Sequence, residues 1–230
     1  MIYLTGDTHG EMGIDKLFSS NFPEGKQLTK NDFVIILGDF GFIWKNETNK
    51  TEKYWLNWFN EKPWTTLFVD GNHENHARLN TFPVEEWNGG KIHKIGDSIF
   101  HLMRGQVFNL NDKKIFTMGG APSIDKIYRT EGISWWKEEE ISYEEQEEAL
   151  ANLEKNNNKV DYIFTHTCPE EIIPYMFNIS KSNIINSPTE KFFDYIAQIV
   201  KFDDWYFGHW HIEKEMGKYH CLYNNLIYLK

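Results

Sequence analysis

Five short apolar runs in this chain stop at a tight turn, and each turn hands over to residues with metal-binding atoms. The runs and their exits are Ile2-Tyr3-Leu4-Thr5 into Gly6-Asp7-Thr8-His9-Gly10, Asp32 to Leu37 into Gly38-Asp39, and Thr66 to Val69 into Asp70-Gly71-Asn72-His73-Glu74. Tyr162 to Thr165 leads into His166, and Trp205-Tyr206-Phe207 into Gly208-His209-Trp210-His211. On an extended strand end, residues i and i+2 point to the same side. Asp7 with His9, and His209 with His211, can therefore each face one centre. A lone His-x-His pair is weak evidence. Five strand ends of one kind constrain the fold, because loops beyond the carboxyl ends of strands in an open α/β sheet gather at one edge.

The rest of the chain reads as the frame for those ends. Phe33-Val-Ile-Ile-Leu37 is apolar throughout, as for a sheet covered on both faces. Ile14 to Phe18 reads as a short helix that completes a βαβ unit. Glu52 to Glu61 carries Tyr54, Trp55, Trp58 and Phe59 at helical spacing and ends before Pro63. Ile99 to Met103, Gln106 to Leu110 and Lys114 to Met118 predict antiparallel hairpins around Gly105 and Asn111-Asp112. Ser142-Tyr-Glu-Glu145 and Ser187-Pro-Thr-Glu190 read as capping boxes that open helices to about Lys155 and Val200. Tyr219 to Tyr223 and Leu226 to Leu229 predict a hairpin turning at Asn224-Asn225.

Composition narrows the function classes. The 230 residues are 40% hydrophobic and 16% aromatic, which predicts one globular domain over 1–230. The formal net charge of -10 argues against an extended duplex nucleic acid or an anionic membrane as partner. It leaves room for a small phosphorylated or nucleotide-like substrate, because bound cations reverse the local field. Cys168 and Cys221 make no disulfide framework, and Met1 to Thr5 has no signal-peptide character, so a cytoplasmic location is expected. No apolar run approaches a membrane span. Oligomeric state is left open.

Asp7, His9, Asp39, Asn72, His166, His209 and His211 offer carboxylate, amide and imidazole donors, which suit Mn, Fe, Zn, Co or Ni. Seven donor residues are too many for one ion. They suit two ions about 3.5–4 Å apart that share a bridging carboxylate.

The order Asp7-Thr8-His9-Gly10, Gly38-Asp39, Gly71-Asn72-His73-Glu74, His166, Gly208-His209-Trp210-His211 resembles the calcineurin-like metallophosphoesterase superfamily along the whole chain. The resemblance implies an α/β (α+β) four-layer sandwich, with two mixed β-sheets packed between helices. It implies one ion on Asp7, His9, Asp39 and His211, and a second on Asp39, Asn72, His166 and His209. Asp39 would bridge, with manganese the first choice for the pair. It further implies that His73 is the catalytic histidine and not a ligand. A metal-bridging hydroxide would attack phosphorus, and His73 would protonate the leaving alcohol as general acid.

The chain departs from one branch of that superfamily. Protein phosphatases continue the second motif as Gly-Asp-x-x-Asp-Arg-Gly, whereas here Gly38-Asp39 runs into Phe40-Gly41-Phe42-Ile43-Trp44. The missing acid and arginine disfavour Ser/Thr protein phosphatase activity. Phe42 and Trp44 are read either as a wall that stacks a base or as core. Arg129, one of three arginines, is read either as a phosphate clamp or as a surface residue. Glu74 is expected to orient a ligand, Cys168 to be a buried thiol, and His76, His93, His101 and His220 to be structural or exposed. The expected activity is hydrolysis of a phosphodiester or nucleotide-like phosphate ester. The alternatives are a serine/threonine protein phosphatase and a non-catalytic metal-binding scaffold.

Overall fold

The computed structural model describes residues 1–229. The first half supplies β1 (Ile2–Thr5), β2 (Phe33–Leu37), β3 (Thr65–Val69), β4 (Val84–Trp87), β5 (Gly90–Gly96) and β6 (Ile99–Leu102). Then come β7 (Gln106–Leu110), β8 (Lys113–Met118), β9 (Tyr162–Thr165), β10 (Asp204–Phe207), β11 (Lys214–Met216), β12 (Tyr219–Cys221) and β13 (Ile227–Leu229). The helices are α1 (Lys50–Asn60), α2 (His76–Leu79), α3 (Tyr143–Lys155), α4 (Ile173–Phe177) and α5 (Pro188–Ile199). No helix among the described residues is long and apolar enough to cross a membrane.

Two mixed sheets form. The first has the order β13-β1-β2-β3-β6-β5-β4 and the second β11-β12-β10-β9-β8-β7. In the first, β1, β2, β3 and β6 run parallel, while β13, β5 and β4 are antiparallel to their neighbours. In the second, β8, β9, β10 and β12 run parallel, and β7 and β11 lie antiparallel at the edges.

The apolar run in β2 shows why the layers form. Phe33, Ile35 and Leu37 enter a core between the sheets, where they meet Phe108, Ile115 and Phe164 of the second sheet. Val34 and Ile36, on the opposite face, pack under Trp55 and Phe59 of α1. On the far face of the second sheet, Phe116, Ile163 and Trp205 pack against Leu153 of α3 and Phe193 and Ile196 of α5. Period-2 side-chain alternation thus buries both faces of each sheet, and each fully buried side chain of this size contributes about 1.5–3 kcal/mol.

Several local expectations change. Ile14–Leu17 is a 3₁₀ turn preceded by another over Gly10–Met12, not an α-helix. β7 and β8 do form a hairpin, but β6 and β7 belong to different sheets, so Gly105 marks a crossover. Its φ of 71° and an approach to Ala149 of α3 that leaves no room for a Cβ explain the glycine. The expected terminal hairpin is likewise divided: β12 pairs with β10 and β11, while β13 returns to β1. A hairpin the pattern reading missed joins β4 and β5 through Asn88-Gly89, both at positive φ as a tight primed turn requires. Ser142 and Glu145 close a full capping box on α3. On α5 only half the box forms. Ser187 accepts from the Glu190 N–H at 3.2 Å, while the Glu190 carboxylate turns away to accept from Thr167 Oγ1 at 2.9 Å.

Candidate active site

The five turns meet at one edge of the sandwich. Thr8 Oγ1 donates to the Phe40 carbonyl at 2.9 Å, and the His9 N–H donates to the Asp39 carbonyl at 2.7 Å, which stitches the β1 exit to the β2 exit. The Gly208 N–H donates to the His166 carbonyl at 2.9 Å, and the His209 N–H to Asp7 Oδ1 at 2.9 Å, which ties the second sheet to the first. Lys16 anchors the β1 turn from below. Its buried ammonium donates to the Asp7 and Tyr223 carbonyls, each at 2.6 Å. Gly38 is required at its position, because a Cβ there would fall 1.9 Å from His166 Nδ1.

His9, Asp39, His209 and His211 all take positive φ, between 48° and 67°. Such backbone costs on the order of 1–3 kcal/mol for each non-glycine residue and persists where the surroundings enforce it. Here the stitching between turns enforces it, and the gain is that His9, Asp39 and His211 bring donor atoms into one cluster.

Donor atoms of Asp7, His9, Asp39 and His211 all lie within 4.8 Å of one another. His9 Nε2 is 2.8 Å from His211 Nε2 and 3.6 Å from Asp39 Oδ2. Asp7 Oδ2 is buried and accepts no well-directed hydrogen bond, although His211 Nε2 and His9 Nε2 stand 3.0 and 3.5 Å away. On the other side, His166 Nε2 lies 3.4 Å from Asp39 Oδ1 and 3.1 Å from Asn72 Oδ1. The His209 ring packs edge-on to the His166 ring at 5.0 Å. His166 Nδ1 donates to the Leu37 carbonyl at 2.8 Å, which turns Nε2 inward, where a bound ion would take its lone pair.

The electrostatics fit a cation. Burial opposes the charge of Asp7 and Asp39, yet the surrounding imidazoles, His166 first, hold both carboxyls below the usual range. Burial likewise opposes a charged His166, and Asp39 and Asp7 outweigh it, which raises the imidazole to about 10. Two buried carboxylates therefore demand positive charge among them, and a divalent ion on the same donors meets that demand. The orphaned Asp7 Oδ2 is the atom that such an ion would satisfy.

His73 stands at the rim. Its N–H donates to Asp39 Oδ1 at 2.7 Å, and its ring meets that of His9 edge-on at 4.9 Å. Arg129 reaches the same ring, with Nη2 3.2 Å from Nε2, while its Nε pairs with Asp125 at 2.7 Å. Trp44 stacks near His73 at 5.9 Å with planes 23° apart and braces against Trp136. Phe42 is only 6% exposed, and its ring packs among Phe40, Trp55 and Phe59, so it belongs mainly to the core.

Of the remaining expectations, the one for Glu74 changes, and those for Cys168 and the other histidines hold. Glu74 is fully buried but accepts from the Gly41 N–H at 3.3 Å, so it clamps the turn after Asp39 rather than a ligand side chain. His76, His93 and His101 are buried, and His101 is bonded to Asp70 at 3.0 Å. His220 pairs with Asp204 at 2.9 Å. Cys168 is a buried thiol, pushed up by burial. The pattern reading missed Ser123 and Glu139. Asn72 Nδ2 donates to Ser123 Oγ at 3.1 Å, and Ser123 donates onward to Glu139 Oε2 at 2.7 Å. This pair fixes the amide so that Oδ1 faces His166. The one available hint was Ser123 at the end of the Gly119-Gly120-Ala121-Pro122 loop.

Two clefts open from this centre and share His73 and His211. One, of about 550 Å³, runs past Trp44, Lys45 and Asn49. The other, of about 710 Å³, runs past Arg129, Trp210 and a group of isoleucines.

A comparison with curated proteins returned no match. The sequence profile of calcineurin-like phosphoesterases matches residues 1–213, a span that holds all five strand-end turns and every donor named above. The chain belongs to the calcineurin-like phosphoesterase family.

Proposed function

We propose that the protein is a dimetal-dependent hydrolase of phosphate esters, with a phosphodiester or nucleotide-like substrate preferred over a phosphoprotein. The observation that carries this reading is the division of Asp39: Oδ2 faces His9 at 3.6 Å, and Oδ1 faces His166 at 3.4 Å. A carboxylate placed between two sets of imidazoles is the arrangement of a bridging ligand. Asp7, His9, Asp39 and His211 would hold one ion, and Asp39, Asn72, His166 and His209 the other. The donors are oxygen and imidazole nitrogen without thiolate, which suits manganese, iron, zinc, nickel or cobalt, with manganese put first by the family resemblance. When bound, the ions supply an activated water and neutralise the phosphate oxygens.

The chain's own residues do the rest. His73 reaches the cleft without being consumed as a ligand and delivers a proton to the departing alcohol oxygen. Arg129, already aimed at His73, binds a non-bridging phosphate oxygen through its outer nitrogens. Trp44 offers a ring face for a base, and Phe42 supports the wall from behind. A small substrate suits clefts of this size, and the net charge of -10 disfavours a long duplex or a membrane surface as partner. Two buried, unbridged cysteines support a reducing cytoplasm as the setting.

The test is turnover by metal-reconstituted protein on nitrophenyl phosphate, bis-nitrophenyl phosphate, cyclic and linear nucleotides and a phosphopeptide. Faster turnover of a nucleotide or diester than of the phosphopeptide is expected. The reverse order would restore the protein-phosphatase alternative, and no turnover with both ions bound would favour a scaffold.

A further inference from the structure

We propose that the cleft on the His209 side is an apolar subsite for an alkyl group esterified to the substrate phosphate. The inference rests on the phosphoesterase reading and extends it to the second organic group of a diester.

The two clefts differ in chemistry. The one past Trp44 also carries Lys45, Asn49 and Glu52, so it can pair the polar edge of a base or sugar. The other starts at the centre itself, with Asp39, Asn72 and His209 on its floor, and continues between Ile173, Ile179, Ile184, Ile185 and Trp210. The Trp210 ring is held by stacking on Phe177 at 4.1 Å with planes 13° apart. Ile124, 81% exposed, stands at the mouth from the opposite loop.

The charged groups in this second cleft are largely accounted for. Asp125 pairs with Arg129 at 2.7 Å, and Glu190 is buried, with its carboxyl raised by that burial and accepting from Thr167 Oγ1 at 2.9 Å. Asn183 also lines this cleft, but the isoleucine wall offers a polar group few hydrogen-bond partners. An alkyl chain would lose only water. Because the cleft is continuous with the centre, a chain bonded to the phosphorus enters it while His73, shared by both clefts, still reaches the leaving group.

The experiment uses inert probes first. Metal-loaded protein is titrated calorimetrically with methylphosphonate and with hexylphosphonate, for the wild type and for Ile184→Ser, Ile185→Ser and Trp44→Ala. Hexylphosphonate should bind at least about tenfold more tightly, since one methylene in an apolar pocket is worth about tenfold or more. Ile184→Ser should cut that ratio, and Ile185→Ser, at a more exposed position less able to disturb folding, should cut it too. Trp44→Ala should keep it. Equal affinities in the wild type, or a ratio lost in Trp44→Ala and kept in both isoleucine variants, would overturn the subsite. Turnover of methyl and hexyl nitrophenyl phosphate then separates the two ideas. Hydrolysis of both at one rate defeats the subsite and leaves the diesterase standing. Hydrolysis of neither, alongside an active phosphopeptide, defeats the diesterase, while the phosphonate ratio still decides the subsite.

Discussion

Arg129 Nη2 lies 3.2 Å from His73 Nε2, so the proposed phosphate clamp and the proposed proton donor already touch. A neutral His73 ring accepts from the guanidinium at this distance, and a phosphate oxygen arriving between the two would take over that hydrogen bond.

Arg129→Ala should therefore raise KM more than it changes metal content. A hydrogen bond to a charged group contributes about 1.5–3 kcal/mol, which predicts a rise in KM of roughly ten- to a hundredfold. Arg129→Lys should recover only part of it, because an ammonium cannot match two oxygens at once. Unchanged kinetics across the substrate panel would return Arg129 to the surface.

His73→Asn should keep the ions and lose about 10²–10⁴-fold in kcat. The loss should be smaller for nitrophenyl esters, whose leaving group needs little protonation. Equal losses for alkyl and nitrophenyl esters would argue against the acid role.

Reconstituted protein should hold two ions per chain, and Asp39→Asn should weaken both sites together, read by metal analysis. The Asn side chain keeps the shape and removes the charge shared by the two donor sets. A wild-type plateau at one ion would sink the bridging arrangement.

Trp44 and Phe42 should separate. Trp44→Ala should slow nucleotide turnover more than nitrophenyl turnover, since stacking of a base is worth about 1–3 kcal/mol. Phe42→Ala should act on stability, at about 3–5 kcal/mol, because it empties a core position between Phe40 and Phe59. Denaturant midpoints and kinetics on the same samples check both.

Glu190 gives a pH signature. Its carboxyl rises from 4.5 to about 8 by burial, which outweighs the Thr167 hydrogen bond. The folded state then holds a proton that the unfolded chain releases. Its contribution is full below the unfolded value of 4.5 and is lost as pH rises towards about 8. Glu190→Gln should remove that slope, on the order of 3 kcal/mol between about pH 5 and pH 8, read from urea midpoints. An unchanged slope would place the titration elsewhere.

The donors were legible because each follows an apolar run at a short fixed offset, through a turn glycine everywhere but at His166. That relation is local, and it survives without knowledge of which strands are neighbours. Pairing partners are not local. Gly105 says that the chain turns, but only the pairing of β6 with β3 and β5 and of β7 with β8 shows that the turn changes sheet. The same holds for Asn224-Asn225, which looks like a hairpin turn yet lies between strands of different sheets. The Ser123-Glu139 support of Asn72 was invisible for a related reason: it joins two loop residues 16 apart that carry no periodic signal. The β4–β5 hairpin was within reach, since Asn88-Gly89 is a strong turn pair.

The division of donors between the sheets also bears on the order in which the molecule can form. Asp7 and His9 leave β1, and Asp39 leaves β2, all in the first sheet; His166, His209 and His211 follow strands of the second. His9 and His211 are 202 residues apart, and their nitrogens meet only when both sheets have been built and laid face to face. Closing so long a loop comes late in folding, because its entropy is lost before any contact rewards it. A chain with only the first sheet built thus gathers Asp7, His9, Asp39 and Asn72 but lacks the three histidines of the second. Tight chelation becomes available only to a molecule that has finished folding, so ion uptake followed in a refolding experiment should report the last step and not the first.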